Sequence, residues 1–483
     1  MAAALRLYEL GQWSFWIDEA HTYRDATMPM TGDYSFWNQE RAFYPLTFLG
    51  LRFLIDAGLV GAGEGWLRLP FALGGIATVP LMWWCGRRLL GDGAAAVSAW
   101  LLALMPWHLF WSQNARGYVF VVFTAVLAAG RLWRWTETGR RRHLLQALAA
   151  IITGALFHPS AAFQGFGVLA FVVLRRLRTS SPRGILIAAG AALAVLLVLP
   201  HLIESTSLFE GFVKTKTDAS LLHLLSTIGY YFRPILLVSA LIGFLLLRRD
   251  QELEPGRDRG LFLGCLAVAQ FAVLAVLGGS LVKTTARYAI CALPALLWLA
   301  AAGARELAVL TRPGASPGLR LVAGFIGIAV FADFSTECWH YYAHRHGDRP
   351  SWRDACEWVK EHHHGERVHV LTLNEPSLSY YLTPEKWRNA GIVEGPYTIN
   401  LLAYWSNEGK DENHVVLHPE GWREHLQWRR GQAEKEGASL VVIVKKPELD
   451  EIDQGDAVDR AGELWRLLRT EWRLALYLPC WVG

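Results

Sequence analysis

The stretch 93–133 reads GAAAVSAWLLALMPWHLFWSQNARGYVFVVFTAVLAAGRLW. It contains two apolar runs, 93–111 and 117–133, each close to the roughly 20 residues that a helix needs to cross a bilayer. The segment between them is polar, and Arg116 is its only charged residue. The pattern predicts two membrane helices joined by a short connection.

Similar apolar runs continue along most of the chain. The predicted spans are 66–86, 93–111, 117–133, 144–157, 161–174, 184–200, 228–247, 261–282, 288–303 and 321–336. Composition agrees, because 53% of the residues are hydrophobic and only 19% are charged, against about 25% charged in soluble proteins. We therefore predict a polytopic α-helical membrane protein with about ten spans. This excludes an ordinary cytosolic enzyme, and a net charge of +4 is too small to indicate nucleic-acid binding.

The distribution of positive charge predicts the orientation. One set of loops carries eighteen Arg, whereas the opposite short loops carry six Lys or Arg. Cytoplasmic loops carry the excess of positive charge, so the first set is predicted to be cytoplasmic, in the cytoplasmic (inner) membrane. Counting 43–60 as a span would invert every later loop, so we predict an interfacial or re-entrant helix there. Residues 1–20 contain no span, and Met1–Leu5 resembles the tail of a helix, so a leading span is expected to be missing.

The sequence predicts three regions. They are an outward-facing N-terminal segment (1–65), a transmembrane domain (66–336) and an extracytoplasmic domain (337–483). In the last region, 368–373 and 439–445 are typical of short buried strands, and helical patterns occupy 351–363, 419–436 and 457–471. This pattern predicts a small α/β domain.

The first candidate site is the motif WSFWIDEA, residues 13–20, where Asp18 and Glu19 follow three aromatic residues. Either carboxylate is a plausible general base, and the alternative is a solvated pair beside an aromatic belt. His21 lies close by, which is compatible with a divalent cation, but so short a cluster does not define a metal site. No defined cofactor is predicted, since the sequence also lacks the Gly-rich nucleotide-binding motifs.

Cations supply the second group of candidates. Arg116 suits phosphate binding, and so do Lys283 and Arg287, whose i,i+4 spacing would put them on one face of a helix. The alternatives are a snorkelling Arg and contacts with ordinary lipid headgroups. His158 is predicted either to hydrogen-bond a ligand or to cap a helix. The topology puts all these groups and the acid pair on one face, which favours a functional site.

The order of motifs resembles the membrane glycosyltransferases of the GT-C fold, most closely family 39, the protein O-mannosyltransferase and aminoarabinose-transferase-like group. The resemblance covers about residues 6–345. The motifs that carry it are aromatic-Asp18-Glu19-Ala, Tyr44-Pro-Leu, Arg-Leu-Pro (68–70), Ser-Gln113-x-Ala-Arg116-x-Tyr118 and Ala-Arg287-Tyr288. The family usually has Glu where Asn114 stands here.

The resemblance implies an inverting transferase that uses a polyprenyl-phosphate sugar donor at the non-cytoplasmic face, with a protein, lipid or polysaccharide acceptor. It implies that Asp18 deprotonates the acceptor hydroxyl beside Glu19, and that Arg116 and Arg287 bind the donor phosphate. Lys283 is predicted to bind the same phosphate because of its charge and its spacing to Arg287. The predicted substrate-binding residues are Tyr44, Gln113, Tyr118, His158 and Tyr288. Two alternatives stay open, a transporter or flippase of a lipid-linked substrate and a non-catalytic membrane scaffold.

Overall fold

The protein is described from a computed structural model. The described residues are 1–179, 221–253, 258–280, 285–310, 317–343, 350–372, 374–392, 395–401, 422–445, 475–477 and 480–482. The chain divides into two compact units. The helical unit comprises Met1–Tyr8, Phe43–Thr47 and Arg68–His344, and the mixed unit comprises Glu9–Ala42, Phe48–Leu67 and Arg345–Gly483.

Helices dominate the described residues. They are α1 (Ala2–Leu7), α2 (Ile17–Thr27), α3 (Leu46–Asp56), α4 (Glu64–Leu90), α5 (Asp92–Leu104), α6 (Pro106–Ser112), α7 (Tyr118–Thr138), α8 (Arg141–Phe157), α9 (Phe163–Thr179), α10 (Leu221–Phe232), α11 (Pro234–Leu253), α12 (Arg259–Ser280), α13 (Leu293–Leu310), α14 (Pro317–Ala343), α15 (Trp352–His362), α16 (Glu375–Leu382) and α17 (Trp422–Lys435). The strands are β1 (Arg367–Thr372), β2 (Tyr397–Leu401), β3 (Ala438–Lys445), β4 (Ala475–Tyr477) and β5 (Cys480–Val482).

Within the described residues, five helices are long and apolar enough to cross a membrane, or up to seven if each of two bent helix pairs is one span. These seven correspond to predicted spans. The predicted span 144–157 lies in α8, which has 17 residues, and 321–336 lies in α14. The predicted span 184–200 lies outside the described residues. Helix α3, in the stretch predicted to be interfacial, has 11 residues and is too short to cross a bilayer.

One bent pair is α5 and α6, which meet at 61°. The break is at Pro106, which cannot continue the hydrogen-bond ladder of α5. The fully buried Arg6 donates to the freed carbonyls of Leu102 and Ala103, at 3.2 and 3.1 Å. Its guanidinium also lies 2.8 Å from Nδ1 of His108. Arg6 therefore satisfies backbone groups that lipid cannot satisfy.

The second bent pair is α10 and α11, which meet at 87°. The break falls at Arg233, whose φ of 61° lies in the left-handed region. Its guanidinium pairs with Asp333 at 2.6 Å and with Glu337 at 2.8 Å, both on α14. A doubly paired arginine at the corner stabilises a backbone conformation that is otherwise unfavourable for a side chain with a Cβ.

Helices α11 and α13 approach each other through glycine. A Cβ on Gly243 would lie 1.8 Å from the carbonyl oxygen of Leu299 and 3.0 Å from the backbone nitrogen of Gly303. In return, a Cβ on Gly303 would lie 3.0 Å from the Cα of Gly243. Membrane helices use small residues for such close approach, because association there depends on van der Waals packing.

We expect Gly243→Ala to destabilise the protein by about 1–3 kcal/mol, because the opposing atoms belong to the backbone and must shift as a whole. The matched control is Gly229→Ala on α10, where an added Cβ meets nothing within 4 Å. Thermal unfolding in detergent, followed by a thiol-reactive or scattering probe, should show a lower Tm for Gly243→Ala only. Equal Tm values for the two variants would contradict the packing argument.

The mixed unit contains a five-stranded sheet of order β2-β1-β3-β5-β4. Strand β1 is parallel to β2 and β3, whereas β5 is antiparallel to β3 and β4. The core beneath it joins α15, α16 and the sheet, with Trp352, Cys356, Val370, Leu378 and Ile443 fully buried. The α/β architecture is confirmed, and the predicted strands and helices at 351–363 and 419–436 correspond to β1, β3, α15 and α17. The predicted helix 457–471 lies outside the described residues.

The mixed unit also includes much of the N-terminal sequence. The prediction treated 1–65 as a segment of its own, whereas residues 9–42 and 48–67 cluster with the C-terminal region, and 1–8 and 43–47 cluster with the helical unit. Phe15, Tyr23, Tyr380 and Trp387 form one buried aromatic cluster within the mixed unit. The acidic motif therefore shares a hydrophobic core with the C-terminal domain.

Candidate active site

The acidic motif opens helix α2. The helix begins at Ile17, and Asp18 and Glu19 lie in its first turn, where the helix dipole stabilises negative charge. Glu19 is fully buried, whereas Asp18 is half-buried. Asp18 is therefore the carboxylate of the pair that is partly exposed, and a substrate can reach it more readily than it can reach Glu19.

A third carboxylate on α2 was missed by the sequence analysis. Asp25 is buried, and it forms ion pairs with Arg24 at 2.8 Å and with Arg41 at 3.0 Å. A buried carboxylate needs such partners to offset its desolvation. The spacing of seven residues from Asp18, two helical turns, was the only signal in the sequence. The contacts indicate that Asp25 anchors α2 rather than reacting.

In the helical unit, His158 lies among three tyrosines. Its ring centroid is 4.1 Å from that of Tyr118, 5.5 Å from that of Tyr44 and 6.4 Å from that of Tyr288. The structure thus gathers four residues that the sequence analysis selected from separate motifs. They come from the segment before α3, the start of α7, the end of α8 and the turn 286–292.

His158 acts as a cap, as one of the two predictions for it stated. Its Nδ1 accepts a hydrogen bond from the backbone N–H of Ser160 at 3.2 Å and lies 2.9 Å from the Ser160 hydroxyl. With Nδ1 used as an acceptor, the neutral ring carries its proton on Nε2. His158 is therefore a fixed ring with one N–H donor.

Burial and two neighbouring arginines lower the pKa of His158. Burial lowers the pKa of His158 well below its usual value, and the positive charges of Arg116 and Arg287 lower it further. Arg116 is 8% exposed, and the Arg287 guanidinium carbon lies 5.4 Å from the centroid of the Tyr288 ring. We name the set Tyr44, Arg116, Tyr118, His158, Arg287 and Tyr288 the cationic cluster. It combines two guanidinium groups with aromatic walls, which suits an anionic ligand.

The low pKa of His158 predicts a pH dependence of stability. Below about pH 6.5 the unfolded histidine binds a proton that the folded one resists, so wild-type stability should fall, by up to about 1.4 kcal/mol per pH unit. His158→Phe keeps a planar ring against Tyr118 but does not titrate, so it should lose less stability between pH 7.5 and pH 5. Urea unfolding at several pH values measures the difference, and parallel losses in both proteins would contradict it.

Two further residues of the predicted site, Gln113 and Lys283, are not part of the cationic cluster. The side-chain amide of Gln113 donates to the carbonyls of Leu5, Arg6 and Tyr8, and its oxygen accepts from Tyr341 at 2.9 Å. It holds the N-terminal residues to the end of α6, and a substrate-binding role stays a prediction. Lys283 lies outside the described residues.

Asn114, where the family usually has Glu, is fully buried and donates from Nδ2 to the carbonyl of Phe110 at 2.5 Å. A carboxylate has no N–H to donate to the Phe110 carbonyl. This hydrogen bond therefore explains why an amide fits at position 114. As for metal, no group of three or more His, Cys, Asp or Glu residues in the described ranges is arranged to hold an ion.

The comparisons with known proteins agree with this architecture. Residues 52–203 match the family model described as dolichyl-phosphate-mannose-protein mannosyltransferase. The fold resembles that of ArnT from Cupriavidus metallidurans bound to undecaprenyl phosphate, with a TM-score of 0.51 and 13% identity, over 94% of this chain and 93% of ArnT. The chain has the GT-C fold.

A second GT-C structure supports the assignment. The archaeal oligosaccharyltransferase AglB from Archaeoglobus fulgidus, in complex with an inhibitory peptide and a dolichol-phosphate, matches with a TM-score of 0.55 and 14% identity. The match covers 93% of this chain and 69% of AglB. None of the curated proteins is significantly similar in sequence. The resemblance to the mannosyltransferase and aminoarabinose-transferase-like group is confirmed, and these findings support a membrane glycosyltransferase.

Proposed function

We propose that the protein is an inverting glycosyltransferase that moves a sugar from a polyprenyl-phosphate donor to an acceptor hydroxyl. The observation that carries the proposal is the cationic cluster, in which the buried His158 ring lies 4.1–6.4 Å from three tyrosine rings and the charges of Arg116 and Arg287 act on it. The match of residues 52–203 to a mannosyltransferase family supports it, since that stretch contains Arg116 and His158. Two of the similar structures hold a polyprenyl phosphate of the same chemical kind.

The cations serve the leaving group. When the bond between the sugar C1 and the phosphate oxygen breaks, negative charge develops on the departing polyprenyl phosphate. Guanidinium groups fixed beforehand at that position stabilise the charge without further reorganisation. The proposal assigns this role to Arg116 and Arg287, together with Lys283. Tyr44, Tyr118 and Tyr288 are assigned to the walls of the donor site.

The base serves the acceptor. Asp18 takes the proton of the acceptor hydroxyl as its oxygen attacks C1 from the face opposite the phosphate. The new bond forms as the old one breaks, through a transition state like an oxocarbenium ion, and one displacement inverts the anomeric configuration. Glu19 is too buried to exchange protons with an acceptor and is assigned to holding α2.

The proposed location is the extracytoplasmic face of the cytoplasmic membrane. The excess of Arg in one set of loops supports this orientation, and surrounding membrane lipid is the solvent of the helical unit. The acceptor class is a protein, a lipid or a polysaccharide with a free hydroxyl. An acceptor peptide in a similar oligosaccharyltransferase structure supports a polymeric acceptor.

The test is sugar transfer by the purified protein in nanodiscs. Radiolabelled polyprenyl-phosphate mannose and aminoarabinose are offered with peptide, lipid A and polysaccharide acceptors, and the anomeric configuration of the product is determined by NMR. Transfer with inversion supports the proposal, and retention of configuration contradicts a single displacement. Movement of labelled donor between leaflets without transfer would instead identify a flippase.

Metal dependence is tested in the same assay. Asp18, Glu19 and His21 are the groups that would hold a divalent cation near the base. Transfer that is abolished by EDTA and restored by Mg²⁺ or Mn²⁺ would assign a cation to this motif, and unchanged transfer would remove it from the proposal.

A further inference from the structure

The residues just before Asp18 are held by side chains from distant parts of the mixed unit. Arg353 makes most of these contacts. Its Nη2 donates to the carbonyl of Gln12 at 2.6 Å and its Nη1 to the carbonyl of Gly11 at 3.3 Å. Its backbone N–H donates to the Ser14 hydroxyl at 3.0 Å. One residue at the start of α15 thus binds three residues of the loop 11–16, namely Gly11, Gln12 and Ser14.

Tyr381 and Glu64 complete the network. The hydroxyl of Tyr381 accepts a hydrogen bond from the Phe15 N–H at 2.7 Å and donates to Oε1 of Glu64 at 2.9 Å. The same Glu64 oxygen lies 3.2 Å from Nη1 of Arg353. The Glu64 side chain is 11% exposed, so its charge is compensated by a hydroxyl and a guanidinium. Satisfied polar networks of this kind specify one local conformation.

Close packing fixes the same loop independently. A Cβ on Gly11 would lie 3.2 Å from the Cα of Gly65, and a Cβ on Gly65 would lie 3.1 Å from the Cα of Gly11, so the two backbones are in contact. The Phe15 ring is fully buried, and its centroid lies 4.6 Å from that of Tyr380. The loop is therefore immobilised before α2 begins at Ile17.

We propose that Arg353, Glu64 and Tyr381 are positioning residues for Asp18, which rests on the proposed function of Asp18 as the base. The Tyr381 hydroxyl accepts a hydrogen bond from the N–H of Phe15, which is only three residues before Asp18. A shift of about 1 Å at a reacting group costs on the order of 100-fold in rate. Arg353 and Tyr381, which come from the C-terminal part of the mixed unit, thus act on catalysis through the backbone before the base.

The decisive variant is Tyr381→Phe, which removes the hydroxyl and keeps the ring. Transfer by this variant should show a kcat lowered by about 10- to 100-fold with the donor KM within about twofold of wild type. The matched control is Tyr397→Phe, a half-buried tyrosine packed against the sheet core of the same unit. Arg353→Lys keeps the charge but cannot span Glu64 and two carbonyls, so it should lose kcat as well.

Hydrogen exchange supplies a readout that does not depend on transfer. The Phe15 amide should exchange at least 10-fold faster in Tyr381→Phe than in wild type or Tyr397→Phe. Unchanged exchange overturns the inference whatever the activity. Faster exchange with wild-type kcat overturns the link to catalysis while leaving the proposed function intact. Failure of the proposed function shows elsewhere, as wild-type protein without transfer or as full transfer by Asp18→Asn.

Discussion

Asp18→Asn should lower kcat for sugar transfer by about 100- to 10,000-fold, the range that a general base contributes. The amide has almost the same shape as the carboxylate but cannot accept a proton at neutral pH. Donor binding should be unchanged, because the cations assigned to the phosphate lie in the helical unit. Initial rates with the radiolabelled donor, with donor binding measured separately, test both parts.

Two controls make this result specific. Asp33→Asn changes an exposed carboxylate in the same unit and should keep wild-type rates. Glu19→Gln changes the buried neighbour of Asp18 and should lower thermal stability more than kcat. Full activity in Asp18→Asn together with a loss in well-folded Glu19→Gln would move the base assignment to Glu19.

Arg287→Gln should lower kcat/KM for the donor by about 100- to 1,000-fold, the typical loss when one fixed donor to a developing anion is removed. Arg287→Lys should lose less, because it keeps the charge but not the planar fork. The exposed Arg140→Gln in the same unit should be neutral. The measurement is a donor titration with undecaprenyl and dolichyl phosphate sugars.

The same substitution has a second expected effect. Arg287 is one of the charges that lower the pKa of His158, so its removal should raise that pKa toward the usual value. The Nδ1 and Nε2 shifts of labelled His158 against pH report it. An unchanged titration would mean that Arg287 does not act on His158 in the membrane, and the cationic cluster would lose one of its members.

Much of the site was predictable, because its residues have local signatures. Asp18 and Glu19 are adjacent carboxylates that follow three aromatic residues, and Arg116 is an isolated charge between two apolar runs. Such residues are conspicuous in a membrane protein, because placing an ionisable group near the bilayer costs free energy and such groups are commonly functional. Capping was one of the two roles predicted for His158, and the sequence did not decide between them.

The rest was not predictable, because it depends on contacts between residues far apart in the chain. The Phe15 N–H and the Tyr381 hydroxyl are 366 positions apart, and nothing near either residue indicates the other. The same holds for Arg6, which looks like an ordinary charge in the sequence but satisfies the broken end of α5. Gln113 is the opposite case. Its motif predicted a substrate contact, but its side-chain amide donates to backbone carbonyls of the N-terminal residues.

Hydropathy and charge along the chain were enough to predict a polytopic membrane protein, its apolar helices and its acidic and basic motifs. Both are properties of short segments, and the insertion and orientation of each membrane helix depend on the hydropathy and charge of its own segment. The folded chain was needed to see that Glu19 is buried while Asp18 is partly exposed, and that His158 lies among three tyrosines. It was also needed to see that Arg353 holds the loop before Asp18. Those outcomes depend on which surfaces pack together, and packing is decided by the whole chain at once.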